Sequence, residues 1–181
     1  NDCTTLYGGW TAGWDTGFDQ FGDGSTFLGG FTRNMGDDAS FTYITTFGDL
    51  GARGDDAYSH SMVLDLQLTE CLQTVFQSDL LRVDSTGEDN FALSNYLFYT
   101  MSDRLTVGRR IEWWKGDNVT GYAPHGGTLP PGGSHSQYEA TYGFNYKATS
   151  NLTVRPEYRY DWSPGLDYKA NIFGSDVVMT F

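Results

Sequence analysis

Four charged side chains, Arg155, Glu157, Arg159 and Asp161, recur at every second position of NLTVRPEYRYDW, with Leu152, Val154, Tyr158, Tyr160 and Trp162 between them. A period of two is that of a β-strand, so one face of this segment is charged and the other apolar. Charges spaced in this way can pair across neighbouring strands, or they can line a water-filled passage. Pro156 has no N–H to give to a ladder and predicts a local irregularity. Catalytic chemistry has less support. His60 stands between Ser59 and Ser61, but adjacent strand residues point to opposite faces, so no nucleophile–base pair aligns there. His125 and His135 lie in or beside a Gly/Pro-rich loop and read as ordinary loop residues. No catalytic centre is assigned and an enzyme is not expected.

Metal and cofactor chemistry is equally thin. Cys3 and Cys71 form no C-x-x-C pair, and they are read either as a disulfide or as two free thiols. The acidic loops DTGFDQFGDG and GDLGARGDDA lack the ligand spacing of an EF-hand. They are taken as solvated carboxylates, with divalent ions bridging surface polysaccharide kept as a hypothesis, and no metal or cofactor is expected.

The elements that carry the charges follow from composition and period. Aromatic residues make up 16% of the chain and Gly numbers 23, against 11 Lys plus Arg, which is a β-rich profile. A net charge of -12 argues against nucleic acid or anionic headgroups as electrostatic partners. No apolar run reaches the length of a transmembrane helix, and no basic and apolar leader opens the chain, so Asn1 reads as a mature or trimmed start. Ten segments alternate with period two, beginning at Thr5, Ser25, Ala39, Tyr58, Cys71, Asn90, Arg104, His135, Leu152 and Asn171. Their connections alternate too: long loops such as DTGFDQFGDG, VDSTGEDN and SPGLDYKA take turns with short ones such as MGDD, TE and MSD.

Short turns on one side and long polar loops on the other are the pattern of a barrel that crosses an outer membrane. Aromatics sort the same way. Trp14, Tyr58, Trp113, Trp114 and Trp162 fall at the long-loop ends, and Tyr7, Tyr99, Tyr146 and Phe181 at the short-turn ends, as two membrane-interface belts would. The expected fold is therefore one all-β domain over residues 1–181, a transmembrane up-and-down antiparallel β-barrel with ten visible strands, or more if others precede Asn1. With apolar faces turned to lipid, the wet faces line the interior: Asp65, Gln67, Gln77, Asp79, Arg110, Glu112, Glu139, Arg155, Glu157, Arg159 and Asp161. Arg109 is the exception, because it shares its face with Leu105, Val107, Ile111 and Trp113. It calls for a bulge, a snorkelled side chain or a protein neighbour.

The stretches NYLFY and LTVRPEYRYDW, with LYGGWTAGWD, SFTYITTFGD and the closing VVMTF, resemble the β-barrel porin family 2, the OmpL-like outer-membrane porins of Gram-negative-type bacteria. Members of that family are usually longer, with strands before the GGWT segment. The resemblance implies a pore in the bacterial outer membrane with periplasmic termini, passing small hydrophilic solutes or ions passively. It also implies membrane lipids as surroundings, the outer-membrane assembly machinery as a partner through the C-terminal strand, compatibility with a homo-oligomer, and no nucleic acid. In VVMTF, Val177, Met179 and Phe181 fit the terminal pattern while Asp176 departs from it. The alternative is a structural or surface-display barrel with a plugged interior and partner-binding loops.

Overall fold

Period-two alternation becomes ten strands in the computed structural model, which describes residues 3–14, 24–51, 54–118 and 133–180. The strands are β1 (Thr4–Thr11), β2 (Ser25–Asn34), β3 (Ala39–Asp49), β4 (Ala57–Thr69) and β5 (Leu72–Val83), then β6 (Glu88–Ser102), β7 (Leu105–Asp117), β8 (Ser134–Lys147), β9 (Leu152–Ser163) and β10 (Tyr168–Met179). Each pairs antiparallel with the next, so one sheet runs from β1 to β10 in chain order. Phe181, His125 and most of the DTGFDQFGDG loop lie outside the described residues.

Most of the strands after β2 are longer than alternation alone suggested, and two expected long loops shrink as a result. Pairing of β5 with β6 continues to Val83 opposite Glu88, leaving four residues between the strands instead of the whole of VDSTGEDN. Gly87 closes that turn at a φ of +69°, a left-handed conformation that suits glycine. Likewise Tyr168 pairs with Ser163, so the last connection is only a 3-10 turn over Pro164–Leu166 and Asp167. The expected loop alternation therefore survives in the connections after β1, β3 and β7 and is lost after β5 and β9.

Irregularities fall where short turns need them. Register shifts occur between Gln67 and Thr69 and between Thr100 and Ser102, beside the tight turns after β4 and β6. Arg109, by contrast, sits in continuous register between Leu97 and Tyr142, so the bulge offered for it is absent. Its side chain has no hydrogen-bond or ion-pair partner among the described residues. At Pro156 the β8–β9 ladder lapses: pairing stops at Gly143–Glu157 and resumes, unshifted, at Tyr146–Val154. A missing N–H interrupts the ladder here without inserting a residue.

The two faces are unlike. Leu6, Trp10, Phe47, Phe76, Leu93 and Phe173 are all exposed, and the register puts them on one face, carried from strand to strand through pairs such as Trp10–Phe27, Phe27–Phe47 and Phe47–Tyr58. A sheet that shows its large apolar side chains to the surroundings is inside out relative to a water-soluble barrel. Exposure peaks at the sheet margins, with Leu6 at 79%, Trp10 at 70% and Phe173 at 76%, because β1 and β10 each have a neighbour on one side only and the sheet is not closed.

Arg109 offers a test of the outward face. A cation among lipid-facing residues costs about 2–4 kcal/mol at mid-bilayer and less near an interface. Since Arg109 is four residues into β7 from the short-turn end, Arg109→Leu should stabilise the protein by about 1–2 kcal/mol, read by reversible urea unfolding in lipid vesicles. Equal or lower stability would contradict the lipid-facing assignment.

Candidate functional site

The opposite face collects the polar side chains. All eleven residues expected on the wet face do share it: Asp65 and Gln67 on β4, Gln77 and Asp79 on β5, Arg110 and Glu112 on β7, Glu139 on β8, and Arg155, Glu157, Arg159 and Asp161 on β9. Cross-strand register sorts them into rows. One row runs Gln77, Ser94, Glu112, Glu139, Asp161 from β5 to β9, so three carboxylates stand side by side on adjacent strands. The next row towards the short turns runs Asp65, Val75, Tyr96, Arg110, Thr141, Arg159 and places two guanidiniums beneath those carboxylates.

Like charges directly opposite are unfavourable unless counter-charges intervene. The arginines supply them. Arg110 Nε donates to Glu139 Oε1 at 2.7 Å, and its Nη2 is paired with the same oxygen. Arg159 Nη2 meets Glu139 Oε2 at 2.9 Å while its Nε donates to Asp161 Oδ1 at 2.7 Å. Thr141 Oγ1 adds a bond of 2.8 Å to Glu139, and the Arg110 guanidinium lies 5.9 Å from the centre of the Tyr96 ring. Glu139 is 4% exposed and Asp161 0%, so the network replaces water around both carboxylates.

Three other acids on this face are held by neutral donors. Gln73 Nε2 donates to both oxygens of Asp65 at 2.8 and 3.0 Å, Gln77 Nε2 to Asp79 at 2.9 Å, and Ser94 Oγ to Glu112 at 3.0 Å. Nearer the short turns, Arg155 grips Asp176 of β10 through Nε, at 2.7 Å to Oδ1, and through Nη2. That pair explains why Asp176 departs from the terminal pattern: it points to the polar face, and Val177 and Met179 keep their alternation on the other.

A recess of about 620 Å³ opens in this wall, bordered by Tyr96, Phe98, Arg110, Asn145, Arg155 and Glu157. Glycines make room for it. Gly108, Gly143 and Gly174 fall in one row with Phe98 and Glu157. A Cβ on Gly108 would come within 2.9 Å of the Phe98 ring, and one on Gly143 within 3.2 Å of Glu157 Cβ. Tyr96 and Phe98, whose rings stack at 6.3 Å, were not singled out from sequence. Their signal was present, because they alternate with apolar Leu97 and Tyr99 and share a parity with Ser94 and Thr100.

Placement of the aromatics is mixed. Tyr58, Tyr99, Trp113, Tyr146 and Trp162 belong to the apolar face. Trp162 stacks on Tyr138 and Tyr160 at 5.3 Å each, and Tyr58 exchanges hydrogen bonds with Tyr43 (3.1 Å) and His60 Nδ1 (3.0 Å). Tyr7 does not join them: its hydroxyl bonds Thr32 Oγ1 at 3.0 Å and Thr32 bonds Thr42 at 2.9 Å, all on the polar face. Trp14 also departs, because β1 ends at Thr11 and the strand alternation ends with it. Its N–H donates to the Leu50 carbonyl at 3.2 Å, and its side chain packs on the buried Leu50, Ala57, Leu81 and Val83, an apolar cap over the long-loop end of the polar face. Cys3 and Cys71 are free and exposed.

An antiparallel ten-strand meander, apolar outside and charged on its other face, defines an outer-membrane-type β-barrel protein. The family profile described as "Putative beta-barrel porin-2, OmpL-like" matches residues 1–181, and the chain belongs to that family of outer-membrane porins. Among solved structures it is similar to a NanC porin in a rhombohedral crystal form, with a TM-score of 0.56, 13% identity, and coverage of 98% of this chain and 93% of that one. At that identity the likeness is one of fold. No curated protein matches the chain.

Glu139 is the keystone of the charged rows, which sets a contrast between two substitutions. Glu139→Gln leaves Arg110 and Arg159 short of their shared carboxylate and should cost about 3 kcal/mol. Arg155→Gln, which breaks a more exposed pair, should cost under about 1 kcal/mol. Urea unfolding of both variants in the same vesicles measures the difference, and equal costs would contradict the network described.

Proposed function

We propose that the charged face lines an aqueous pore through the outer membrane, through which small hydrophilic solutes and ions diffuse passively. The observation that carries this reading is the inversion of the sheet, with large apolar side chains outside and carboxylates, guanidiniums and amides on the other face. Porin-family membership supports it. In the membrane, the free edges of β1 and β10 must find backbone partners, since unpaired strand edges are not tolerated in hydrocarbon. Short turns and both termini face the periplasm in this reading, and the apolar residues of β10, Phe173, Val177 and Met179, form the surface offered to the assembly machinery. No active-site chemistry is proposed.

One observation favours a second reading. The cap made by Trp14, Leu50, Leu81 and Val83 narrows the long-loop end, as a plugged barrel that displays its loops to a partner would require. Conductance separates the two readings. Purified protein in a planar bilayer should give discrete open steps, and a folded but silent barrel would leave the plugged reading. Gly174→Leu provides a quantitative companion: its Cβ would meet only the Glu157 side chain, at 3.7 Å, so the added bulk projects into the passage. Single-channel conductance should fall, and an unchanged value would remove the Glu157 row from the conducting path.

A further inference from the structure

Charges on the inner wall are unequally committed, and the imbalance runs in one direction. Along the strands, the described residues of this face include twice as many carboxylates as cations, and the three arginines among those cations are all spent on ion pairs. Arg110 and Arg159 are held by Glu139 and Asp161, and Arg155 by Asp176. The remaining cation, Lys147, stands at the short-turn end of β8. On the other side of the balance, Asp65, Asp79 and Glu112 accept hydrogen bonds only from neutral groups, the Gln73 and Gln77 amides and the Ser94 hydroxyl. A neutral donor orients a carboxylate and leaves its charge in place. A paired guanidinium offers little field to a passing anion, whereas an unneutralised carboxylate in a narrow low-dielectric passage concentrates cations.

Geometry adds a second observation. Glu112 stands in register beside Glu139, which stands beside Asp161, so it continues a row of three across β7, β8 and β9. One oxygen of that row, Asp161 Oδ2, is buried with no hydrogen-bond partner. Asp79 lies one row nearer the long loops on β5 and Asp65 one row nearer the short turns on β4, because Asp79 pairs with Ser61 and Asp65 with Val75. Asp65 and Asp79 therefore lie one row to either side of the acidic row along the strand direction. Rows of Asp and Glu are how cation passages are selected, and rows of unpaired Arg or Lys would be needed for anions.

We infer, resting on the pore reading above, that the passage prefers cations to anions and that Asp65, Asp79 and Glu112 contribute to the preference. The ligand class is small hydrated cations and solutes of net positive charge. Because the effect is that of fixed charges in water, it is strong at about 0.1 M salt, where the Debye length is about 10 Å, and fades near 1 M, where it is about 3 Å.

Reversal potential under a KCl gradient, with full-length protein in a planar bilayer, reads the preference directly. Wild-type protein should pass K⁺ in preference to Cl⁻. The triple variant Asp65→Asn, Asp79→Asn, Glu112→Gln keeps acceptors for Gln73, Gln77 and Ser94, so it retains the fold, as circular dichroism would verify, and should show a clearly weaker preference. Arg155→Gln tests the opposite sign: freeing Asp176 should strengthen it. A silent barrel would overturn the pore reading and this inference together. An open channel that favours Cl⁻, or one whose K⁺ preference is undiminished in the triple variant, would overturn the inference and leave the pore standing.

Discussion

Everything in this structure follows from one constraint. A chain in hydrocarbon must satisfy each backbone N–H and C=O from within, because no water is there to do so. A sheet meets that demand only between neighbours. The simplest chain order that gives each strand a neighbour is the meander from β1 to β10, in which hairpin follows hairpin without a crossover. Pairing then fixes register, and register fixes which side chains face lipid, since a slip of one residue would turn every charge outward. Continuous pairing over 12 residues between β5 and β6, from Leu72–Tyr99 to Val83–Glu88, is what holds Asp79 and Gln77 on the polar face.

Backbone satisfaction also explains where the sheet tolerates faults. The shifts beside the turns after β4 and β6 lie at strand ends, where water can reach unpaired groups. Pro156 is less expected, since it falls inside β9. Its ring faces the apolar side, in register with Ser175 on β10, while the pairing to β8 lapses over Phe144 and Asn145. The same stretch of wall holds Gly143 and the recess beside Glu157. Proline and glycine together thus loosen and thin one patch of an otherwise continuous ladder, and that patch holds the recess beside Glu157.

Much of this was legible in the sequence, and the losses are instructive. Alternation identified all ten strands and the shared face of Arg155, Glu157, Arg159 and Asp161, because period two is a local property of the chain. β2 has the bounds its alternation suggested, Ser25–Asn34. Strand ends in β5, β6, β9 and β10 were placed short because polar residues such as Asp89 and Ser163 look like loop until a cross-strand partner is known. Position along a segment puts Trp14 and Tyr7 in the lipid belts. Their direction depends on where β1 stops and on its register with β2, which sequence does not state. Nor could spacing show that Arg155 would be matched by Asp176, 21 positions away, or that Glu112, Glu139 and Asp161 would fall in one row.

That row shows how register turns composition into electrostatics. With 23 acidic residues against 11 basic ones, some carboxylates must go without a cation, and chemistry rather than number decides which. Glu139 and Asp161 are buried and could not remain there charged without Arg110 and Arg159, so two of the three guanidiniums of this face are spent on them. Asp65, Asp79 and Glu112 keep some access to solvent and manage with amides and a hydroxyl. Stabilising the wall therefore consumes the positive charge and leaves the negative charge facing water. The charge imbalance of the polar face is a by-product of what its folding requires.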